Sequence, residues 1–158
     1  MTLKQLPTLL ICIAIPLVIG SISGFATARE VGGWFRLLQK PTFNPPSYLF
    51  APVWTTLYAL MGISLYLIWS SPKNAARSKA LQIFSLQLFL NFSWSILFFS
   101  FHLLFVAVLD ILLLWLSIFY MIVLFKKIKP LAAYLNVPYL LWVSFATVLN
   151  IAIWWLNK

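Results

Sequence analysis

Residues 103–125 read LLFVAVLDILLLWLSIFYMIVLF, and this stretch decides the fold class. It contains one charged residue, Asp110, and neither glycine nor proline. A helix crosses the hydrocarbon core of a bilayer with roughly 20 apolar residues, so the stretch is long enough to do so. It therefore predicts a transmembrane helix.

Apolar stretches of similar length occur four more times in the chain. Segments rich in Gly, Pro, Lys and Arg separate most of them, as expected of loops at a membrane interface. We expect an all-α membrane protein, with five transmembrane helices in one bundle that forms a single domain, 1–158. The predicted spans are 6–28, 48–69, 81–101, 103–125 and 131–156, with a lid loop at 29–47.

The composition of the whole chain argues against a water-soluble fold. Hydrophobic residues make up 63% of the 158 residues and charged residues 8%, whereas a soluble domain is roughly half apolar and a quarter charged. So few charges cannot cover the surface of a small globule, and lipid must cover most of it. This predicts an integral, multi-pass membrane protein.

The net charge of +9 belongs to short basic clusters between the apolar stretches, so we do not expect nucleic acid as a partner. Lys/Arg asymmetry instead predicts membrane orientation, with the amino terminus in the cytoplasm. The cytoplasmic set would be Lys4, Lys73, Arg77, Lys79, Lys126, Lys127 and Lys129, against Arg29, Arg36, Lys40 and Lys158 on the other side.

The first span allows a second interpretation, because Ala26-Thr27-Ala28 fits the small-x-small pattern of a signal peptidase site. Cleavage there would leave four helices. The apolar stretch is longer than the about 7 to 15 residues of a signal-peptide core, which favours a retained span.

The titratable residues exclude several kinds of chemistry. Cys12 is the single cysteine, His102 the single histidine, and Glu30 and Asp110 are the two acids. These residues provide neither a disulfide nor metal-ligand spacing, nor a paired-carboxylate or Ser-His-Asp centre. We predict no metal site and a function that depends on aromatic side chains, amides and a few cations.

Three predicted helices each carry aromatic and polar residues at steps of three and four, which places them on one helical face. The stripes are Trp54 and Tyr58 in the second span, Gln87, Asn91 and Trp94 in the third, and Tyr139, Trp142, Ala146 and Asn150 in the fifth. Such residues either anchor and bridge helices in the membrane or line a site for a flat aromatic ligand, and the pattern leaves both open.

Asp110 is an ionisable residue within a predicted span, which is costly unless the carboxyl group faces a partner or a cavity. It either supports the site, together with Gln87, or bonds a neighbouring helix through His102 or Asn91. His102 itself lies at a predicted helix boundary, where an interfacial role is favoured over metal binding.

The first loop combines Trp34 and Phe35 with the cations Arg29, Arg36 and Lys40. An aromatic and cationic loop would suit a lid over an anionic ring system, because the ring can stack and its carboxylates can meet the cations. The alternative is an amphipathic stretch that lies on anionic lipid.

Two weaker patterns remain. Gly20-x-x-x-Gly24 permits close approach of helices and so dimerisation. Leu116, Tyr120 and Lys126 match a loose sterol-binding pattern.

Four blocks of the sequence together resemble the translocator protein family, also called the TspO/MBR family, tryptophan-rich sensory proteins or peripheral-type benzodiazepine receptors. The blocks are GGWFRLLQKPTFNPPSYLFAPVWTTLYALMG, QLFLNFSWSILFF, VLDILLL and PYLLWVSFATVLN, and the likeness runs from about Gly33 to Asn150. The resemblance implies a five-helix membrane bundle, commonly dimeric, with a pocket beneath the first loop that accepts porphyrins such as protoporphyrin IX and haem.

Carried over by position, Trp54 and Trp142 match two pocket tryptophans linked to porphyrin handling in that family. The resemblance also places Tyr58, Asn91, Ala146 and Asn150 around the same cavity, and the stripes and the loop add Trp34, Trp94 and Tyr139 as ligand-binding candidates.

The chain departs from the family's animal sterol motif, which has Tyr directly after ATVLN and a basic residue soon after. Here Ile151 and Trp155 follow, so cholesterol is not expected as a partner. The sequence resembles bacterial members more than animal ones, which favours a bacterial cell membrane over the mitochondrial outer membrane.

These features lead us to expect a membrane receptor or sensor that binds porphyrin or haem as a ligand and contributes to tetrapyrrole transport or stress regulation. No obligatory cofactor is expected, and a homodimer is. Two alternatives stay open: light-dependent degradation of porphyrin, with Trp54 and Trp142 as the reacting residues, and a scaffold for other membrane proteins.

Overall fold

The computed structural model describes residues 5–158, which form a bundle of five long helices and, within that range, no β-strand. Lys4, which the orientation count includes, lies outside the described residues. In chain order the helices are α1 (Leu6–Gly32), α2 (Trp34–Leu37), α3 (Phe50–Trp69), α4 (Ala75–Ser95), α5 (Leu104–Ile128), α6 (Pro130–Tyr134) and α7 (Val137–Leu156). A 3₁₀ turn at Ser47–Leu49 precedes α3, and a π-helical turn at Ile96–Ser100 extends α4.

The five long elements are each apolar enough and long enough to cross a membrane. The predicted all-α, five-helix membrane fold is therefore confirmed.

Two of the long helices extend beyond the apolar stretches that predicted them. α1 includes Arg29, which the sequence placed in the lid loop. α4 begins directly after Asn74, well before Leu81, because the Asn74 side chain caps this helix by accepting a hydrogen bond from the Arg77 backbone N–H at 2.8 Å. Hydropathy locates the part of a helix that lies in lipid, whereas capping residues decide where the helix begins.

The predicted fifth span contains two helices, α6 and α7, with a turn between them. The buried Asn136 in this turn donates its side-chain amide to the Ser64 hydroxyl at 2.6 Å and to the Ala132 carbonyl at 2.8 Å. Ser64 donates to the same carbonyl at 2.8 Å. These bonds join the turn to α3 and give the Asn136 NH₂ group partners inside the protein, while Asn136 Oδ1 is buried without a hydrogen-bond partner among the described residues.

The helices pack in two groups that meet in the middle of the bundle. α1 packs along α3, while α5 lies between α4 and α7. The buried face of α5 recurs every three or four residues and includes Ala107, Ile111, Leu114, Ile118, Met121 and Phe125.

Glycines set the spacing between α1 and α3. A Cβ atom on Gly62 would overlap the Ile13 backbone, and one on Gly20 would overlap the Tyr58 ring. A Cβ on Gly24, one turn further along α1, would meet nothing within 4 Å. The two helices therefore touch closely at Gly62 and Gly20 and separate toward the lid, and Gly20 of the predicted dimerisation motif makes its close contact inside the chain.

Asp110 bonds a neighbouring helix, but its partner differs from the two that the sequence indicated. The Ser93 hydroxyl of α4 donates to Asp110 Oδ1 at 2.7 Å. His102 instead places Nε2 3.2 Å from Glu30 Oε2, and Asn91 bonds two tyrosines. The interpretation of Asp110 as a helix-bridging group is supported, and the suggested partners His102 and Asn91 were wrong.

Candidate functional site

A cavity of about 640 Å³ lies between α1, α3, α7 and the end of α4, beneath α2. Six of the residues predicted for the site border it, namely Trp54, Tyr58, Trp94, Trp142, Ala146 and Asn150. The stripes that the sequence assigned to three separate helices thus meet around one space.

The α3 wall consists of an indole and a phenol one helical turn apart. Trp54 and Tyr58 stack with their ring centroids 5.5 Å apart and an interplanar angle of 28°. Trp54 also meets the buried Tyr139 ring edge-on at 6.2 Å. The helical repeat places both rings on the side of α3 that faces the cavity.

The α7 wall faces α3 across the cavity. Trp142, Ala146 and Asn150 follow one another at steps of four along this wall. The Trp142 ring meets Phe50 of α3 edge-on at 6.1 Å, so aromatic contacts join the two walls near the lid.

Trp94 of α4 and Asn150 of α7 are hydrogen-bonded to each other at the border of the cavity. The Trp94 indole N–H donates to Asn150 Oδ1 at 2.9 Å, and the Asn150 amide makes a longer contact of 3.5 Å with the Leu104 carbonyl. Because the amide oxygen is bound in this way, its NH₂ group is the part of Asn150 that is less engaged and can meet a ligand.

Three further candidates lie behind the α3 wall rather than at the cavity. The Tyr58 hydroxyl donates to Asn91 Oδ1 at 2.6 Å, Asn91 Nδ2 donates to the Tyr139 hydroxyl at 2.9 Å, and Tyr139 donates to Gln87 Oε1 at 2.9 Å. Asn91, Tyr139 and Gln87 are almost completely buried and do not border the cavity. They form a polar chain, defined here as Tyr58–Asn91–Tyr139–Gln87, that joins α3, α4 and α7.

In the lid segment, Phe35 rather than Trp34 borders the cavity. The Trp34 ring stacks on His102, with centroids 3.9 Å apart and an interplanar angle of 19°, and meets Phe98 edge-on at 6.0 Å. Phe35 is buried and contacts Phe98, which also borders the cavity. The two aromatics are neighbours in the chain, and spacing alone could not tell which of them faces inward.

None of the three predicted lid cations borders the cavity. The Lys40 ammonium group donates to the carbonyls of Arg36 and Leu38 and lies 4.8 Å from the centroid of the Phe35 ring. Arg29 and Arg36 are exposed side chains near the lid end of the bundle. Their immediate neighbours in the chain, Ala28 and Phe35, do border the cavity, so both residues belong to the end of the bundle at which the cavity meets the lid.

Contacts at both ends hold the lid segment in place. At one end, Trp34 stacks on His102, and His102 contacts Glu30. At the other end, the Asn157 side chain accepts from the Gln39 backbone N–H at 3.0 Å and donates to the Gln39 carbonyl at 2.9 Å. The lid therefore depends on groups at the end of α1, the turn before α5 and the carboxyl end of the chain.

The cavity opens sideways between α1 and α3. Gly24, Phe25 and Ala28 of α1 and Ala51 and Thr55 of α3 border the cavity and are exposed on the outer surface of the bundle. This opening follows from the separation of the two helices beyond Gly20.

Sequence reasoning missed the contribution of α1 to the site. Small residues at steps of three and four on this helix border the cavity, namely Gly20, Ser23, Gly24, Thr27 and Ala28. The same period that identified the aromatic stripes could have identified this one. The Gly20-x-x-x-Gly24 spacing was instead interpreted as a contact between two chains.

The fold and the cavity together define a multi-pass membrane protein whose helices enclose an aromatic-lined cavity beneath a loop. Residues 12–156 match the model of the TspO/MBR family, and the chain belongs to this family.

Relatives of this chain come from diverse organisms. The chain is 37% identical over 155 residues to the tryptophan-rich protein TspO of Chlorobaculum tepidum, with 98% of each chain covered. It is 43% identical over 142 residues to the protein of the same name from Archaeoglobus fulgidus, with 89% of this chain and 91% of the relative covered. It is 36% identical over 140 residues to the translocator protein of Homo sapiens, with 85% and 83% covered.

Proposed function

We propose that this protein is a membrane receptor or sensor that binds a porphyrin, such as protoporphyrin IX or haem, in the aromatic cavity. Bound ligand would then contribute to tetrapyrrole transport or to stress regulation. The observation that carries the proposal is that Trp54, Trp94 and Trp142, from three different helices, border one cavity of about 640 Å³.

The cavity suits a broad, flat and mainly apolar ligand. Its volume lies within the roughly 300–1,000 Å³ typical of small-molecule sites. Indole and phenol rings offer stacking surfaces for an extended π-system, and the Asn150 amide offers one directional polar contact. Each of these groups comes from a helix, so the walls are set by the bundle rather than by the loop.

The porphyrin carboxylates would extend toward the lid end of the bundle, where the exposed Arg29 and Arg36 side chains could meet them. Guanidinium groups bind carboxylates through paired, charge-assisted hydrogen bonds. Lys40 has a smaller part in this proposal, because its ammonium group already bonds two backbone carbonyls.

The names of several relatives fit a regulatory role. The chain is 32% identical over 117 residues to the tryptophan-rich sensory protein of Cereibacter sphaeroides, with 74% of this chain covered. A sensor needs a ligand-dependent change, and Phe35 of the lid segment borders the cavity, so a bound ligand would contact the lid. The predicted homodimer stays a prediction.

Ligand titration tests the proposal. Protein in detergent is titrated with protoporphyrin IX in the dark while tryptophan fluorescence is followed, and saturable quenching is expected. Trp142→Phe should weaken binding about five- to tenfold, since it removes part of an aromatic wall. Trp69→Phe is the matched control, because Trp69 lies outside this cavity. A lack of saturable quenching would contradict the proposal and would favour the scaffold alternative.

The contribution of the lid cations is measured with two ligands. The double variant Arg29→Gln, Arg36→Gln should bind protoporphyrin IX more weakly, and it should lose less affinity for the dimethyl ester, because the ester carries no carboxylate charge. Equal losses for both ligands would show that the cations do not meet the carboxylates.

A second candidate function, light-dependent porphyrin degradation, is favoured by one contact. Trp54 and Tyr58 stack on each other and both border the cavity, so two oxidisable rings lie beside a bound porphyrin. Illumination of the bound porphyrin in the presence of oxygen should then yield a new absorbing product. Loss of that product in Trp54→Phe, with dark binding retained, would support the enzyme, and absence of any product in the unaltered protein would exclude it.

A further inference from the structure

A second cavity, of about 810 Å³, lies between α1, α3 and α4, closer to the opposite end of the bundle from the lid. Its walls are almost entirely apolar and include Ile15, Leu65 and Leu88. None of the predicted site residues borders it. We refer to it below as the α1–α4 groove.

Trp69 lies at one end of the groove, and the guanidinium group of Arg77 lies against it. Trp69 borders the groove, and Arg77 Cζ is 5.0 Å from the centroid of its ring. Tryptophan prefers the depth of the lipid headgroups. The groove thus runs from hydrocarbon depth to an interface where an aromatic ring and a cation meet.

Arg77 is a buried cation that has no counter-ion among residues 5–158. The residue is 8% exposed, and its Nε atom is buried with no hydrogen-bond partner among the described residues. The two acids of the chain are engaged elsewhere, Glu30 with His102 and Asp110 with Ser93. A largely buried cation is costly unless it is paired, and the Trp69 ring is the partner that the described residues give the Arg77 guanidinium group, so an anion beside it would be stabilised.

Arg77 also shares a helical face with the groove. Leu81, Phe84, Ser85 and Leu88 border the groove, and they follow Arg77 on α4 at intervals that match one to three helical turns. The apolar surface therefore leads directly to the unpaired guanidinium group.

We propose that the α1–α4 groove binds an anionic phospholipid of the surrounding bilayer. One acyl chain lies along Ile15, Leu65 and Leu88, and the phosphate pairs with Arg77 above Trp69. Phosphate matches the fork of N–H donors on a guanidinium group, and the neighbouring Lys73 adds positive charge at the same end of the bundle. A second copy of this chain would cover the apolar surface but would bring no accessible carboxylate to Arg77, since Glu30 contacts His102 and Asp110 is buried inside the bundle.

Retention of lipid during native mass spectrometry tests the site. Protein in detergent is exposed to dioleoyl phosphatidylglycerol or to dioleoyl phosphatidylcholine, which share acyl chains and differ in net charge. The unaltered protein should retain phosphatidylglycerol preferentially. Arg77→Gln should reduce that retention about tenfold, the effect of losing a charge-assisted contact.

Lys79→Gln is the matched charge control. Lys79 lies on the same helix, but its ammonium group lies 5.6 Å from the Tyr120 ring of α5, away from the groove. Lys79→Gln should leave retention unchanged. An equal loss in both variants would show general attraction to the basic end of the bundle and would overturn the site.

A second pair of variants tests the groove without altering charge. Ser85→Phe fills the groove and should abolish retention, whereas Leu86→Phe adds bulk to α4 outside it and should not. Circular dichroism and size-exclusion elution show that each variant is folded. Retention of phosphatidylglycerol that survives both Arg77→Gln and Ser85→Phe would overturn the proposal. Conversion of a lipid-free dimer into a monomer by Ser85→Phe would also overturn it, because a second copy of the chain would then occupy the groove.

Discussion

The Asn91 side chain joins two tyrosines that belong to different helices. It accepts a hydrogen bond from Tyr58 of α3 and donates one to Tyr139 of α7. The Tyr139 hydroxyl in turn donates a hydrogen bond to Gln87. Every member is buried, so each lost bond leaves a polar atom without water to replace the partner. The polar chain therefore holds Tyr58 at the angle at which its ring stacks on Trp54.

Two hydroxyl deletions measure the polar chain. Tyr58→Phe removes one hydrogen bond and should lower the free energy of unfolding by about 1 kcal/mol, a common value for such bonds in membrane bundles. Tyr139→Phe removes two hydrogen bonds and should lower the free energy of unfolding further. Unfolding in mixed detergent, followed by circular dichroism, gives both values. Tyr66→Phe is the control, and a Tyr58→Phe loss no larger than that of Tyr66→Phe would contradict the assigned role.

The residue types at the site were predictable, but their depth was not. Helical spacing placed Trp54, Tyr58 and Trp142 on inward faces, and these residues border the cavity. The same spacing could not distinguish Asn91 and Tyr139, which lie behind the cavity wall, from residues that border the cavity. The helical period gives the direction of a side chain around the helix axis and not its distance from a cavity.

At the level of helices, the crossing of α1 and α3 shapes the site more than any single side chain. Gly62 allows contact with the α1 backbone and Gly20 makes room for the Tyr58 ring, and the helices then separate to form the lateral opening. The sequence contained the small residues needed for this contact. It could not show whether they met another helix of the same chain or of a second chain, because both use the same close approach.

Glycine substitutions along these two helices should have unequal effects. Gly62→Ala should lower the free energy of unfolding by about 1–3 kcal/mol, because the Ile13 backbone cannot yield. Gly24→Ala should leave stability unchanged or slightly raised, since nothing lies within 4 Å and alanine favours helix. The same detergent unfolding measures both. Loss of dimer in Gly24→Ala, with stability retained, would show that this residue contacts a second chain.

In the whole molecule, the lid is tied to the last residues of the described chain and to the turn before α5. Asn157, next to the last residue, bonds the Gln39 backbone, while Trp34 stacks on His102 in the turn before α5. His102 has φ of +57°, and the Leu103 N–H bonds the Leu97 carbonyl across this turn at 2.9 Å. No spacing rule in the sequence connects these residues, since three separate segments of the chain bring them together.

Hydrogen exchange checks the attachment of the lid. Asn157→Ala removes two hydrogen bonds to Gln39, so amide exchange should accelerate in residues 33–46 and stay unchanged in α5. Lys158→Ala is the control, because Lys158 lies next in the chain and makes no bond to the lid. Equal exchange in Asn157→Ala and the unaltered protein would show that the other contacts suffice.

The opening between α1 and α3 also determines which concentration of a guest sets the occupied fraction of the cavity. A guest that passes Phe25 and Thr55 leaves acyl tails rather than water, and tails are as apolar as the cavity walls. Expulsion of water then contributes little to the free energy of this transfer. Ring stacking and the hydrogen bond from the Asn150 amide must therefore distinguish the guest from a lipid tail. The quantity that fixes saturation is the mole fraction of the guest in the bilayer, so guests with equal intrinsic affinity but different partition coefficients fill the cavity at very different aqueous concentrations.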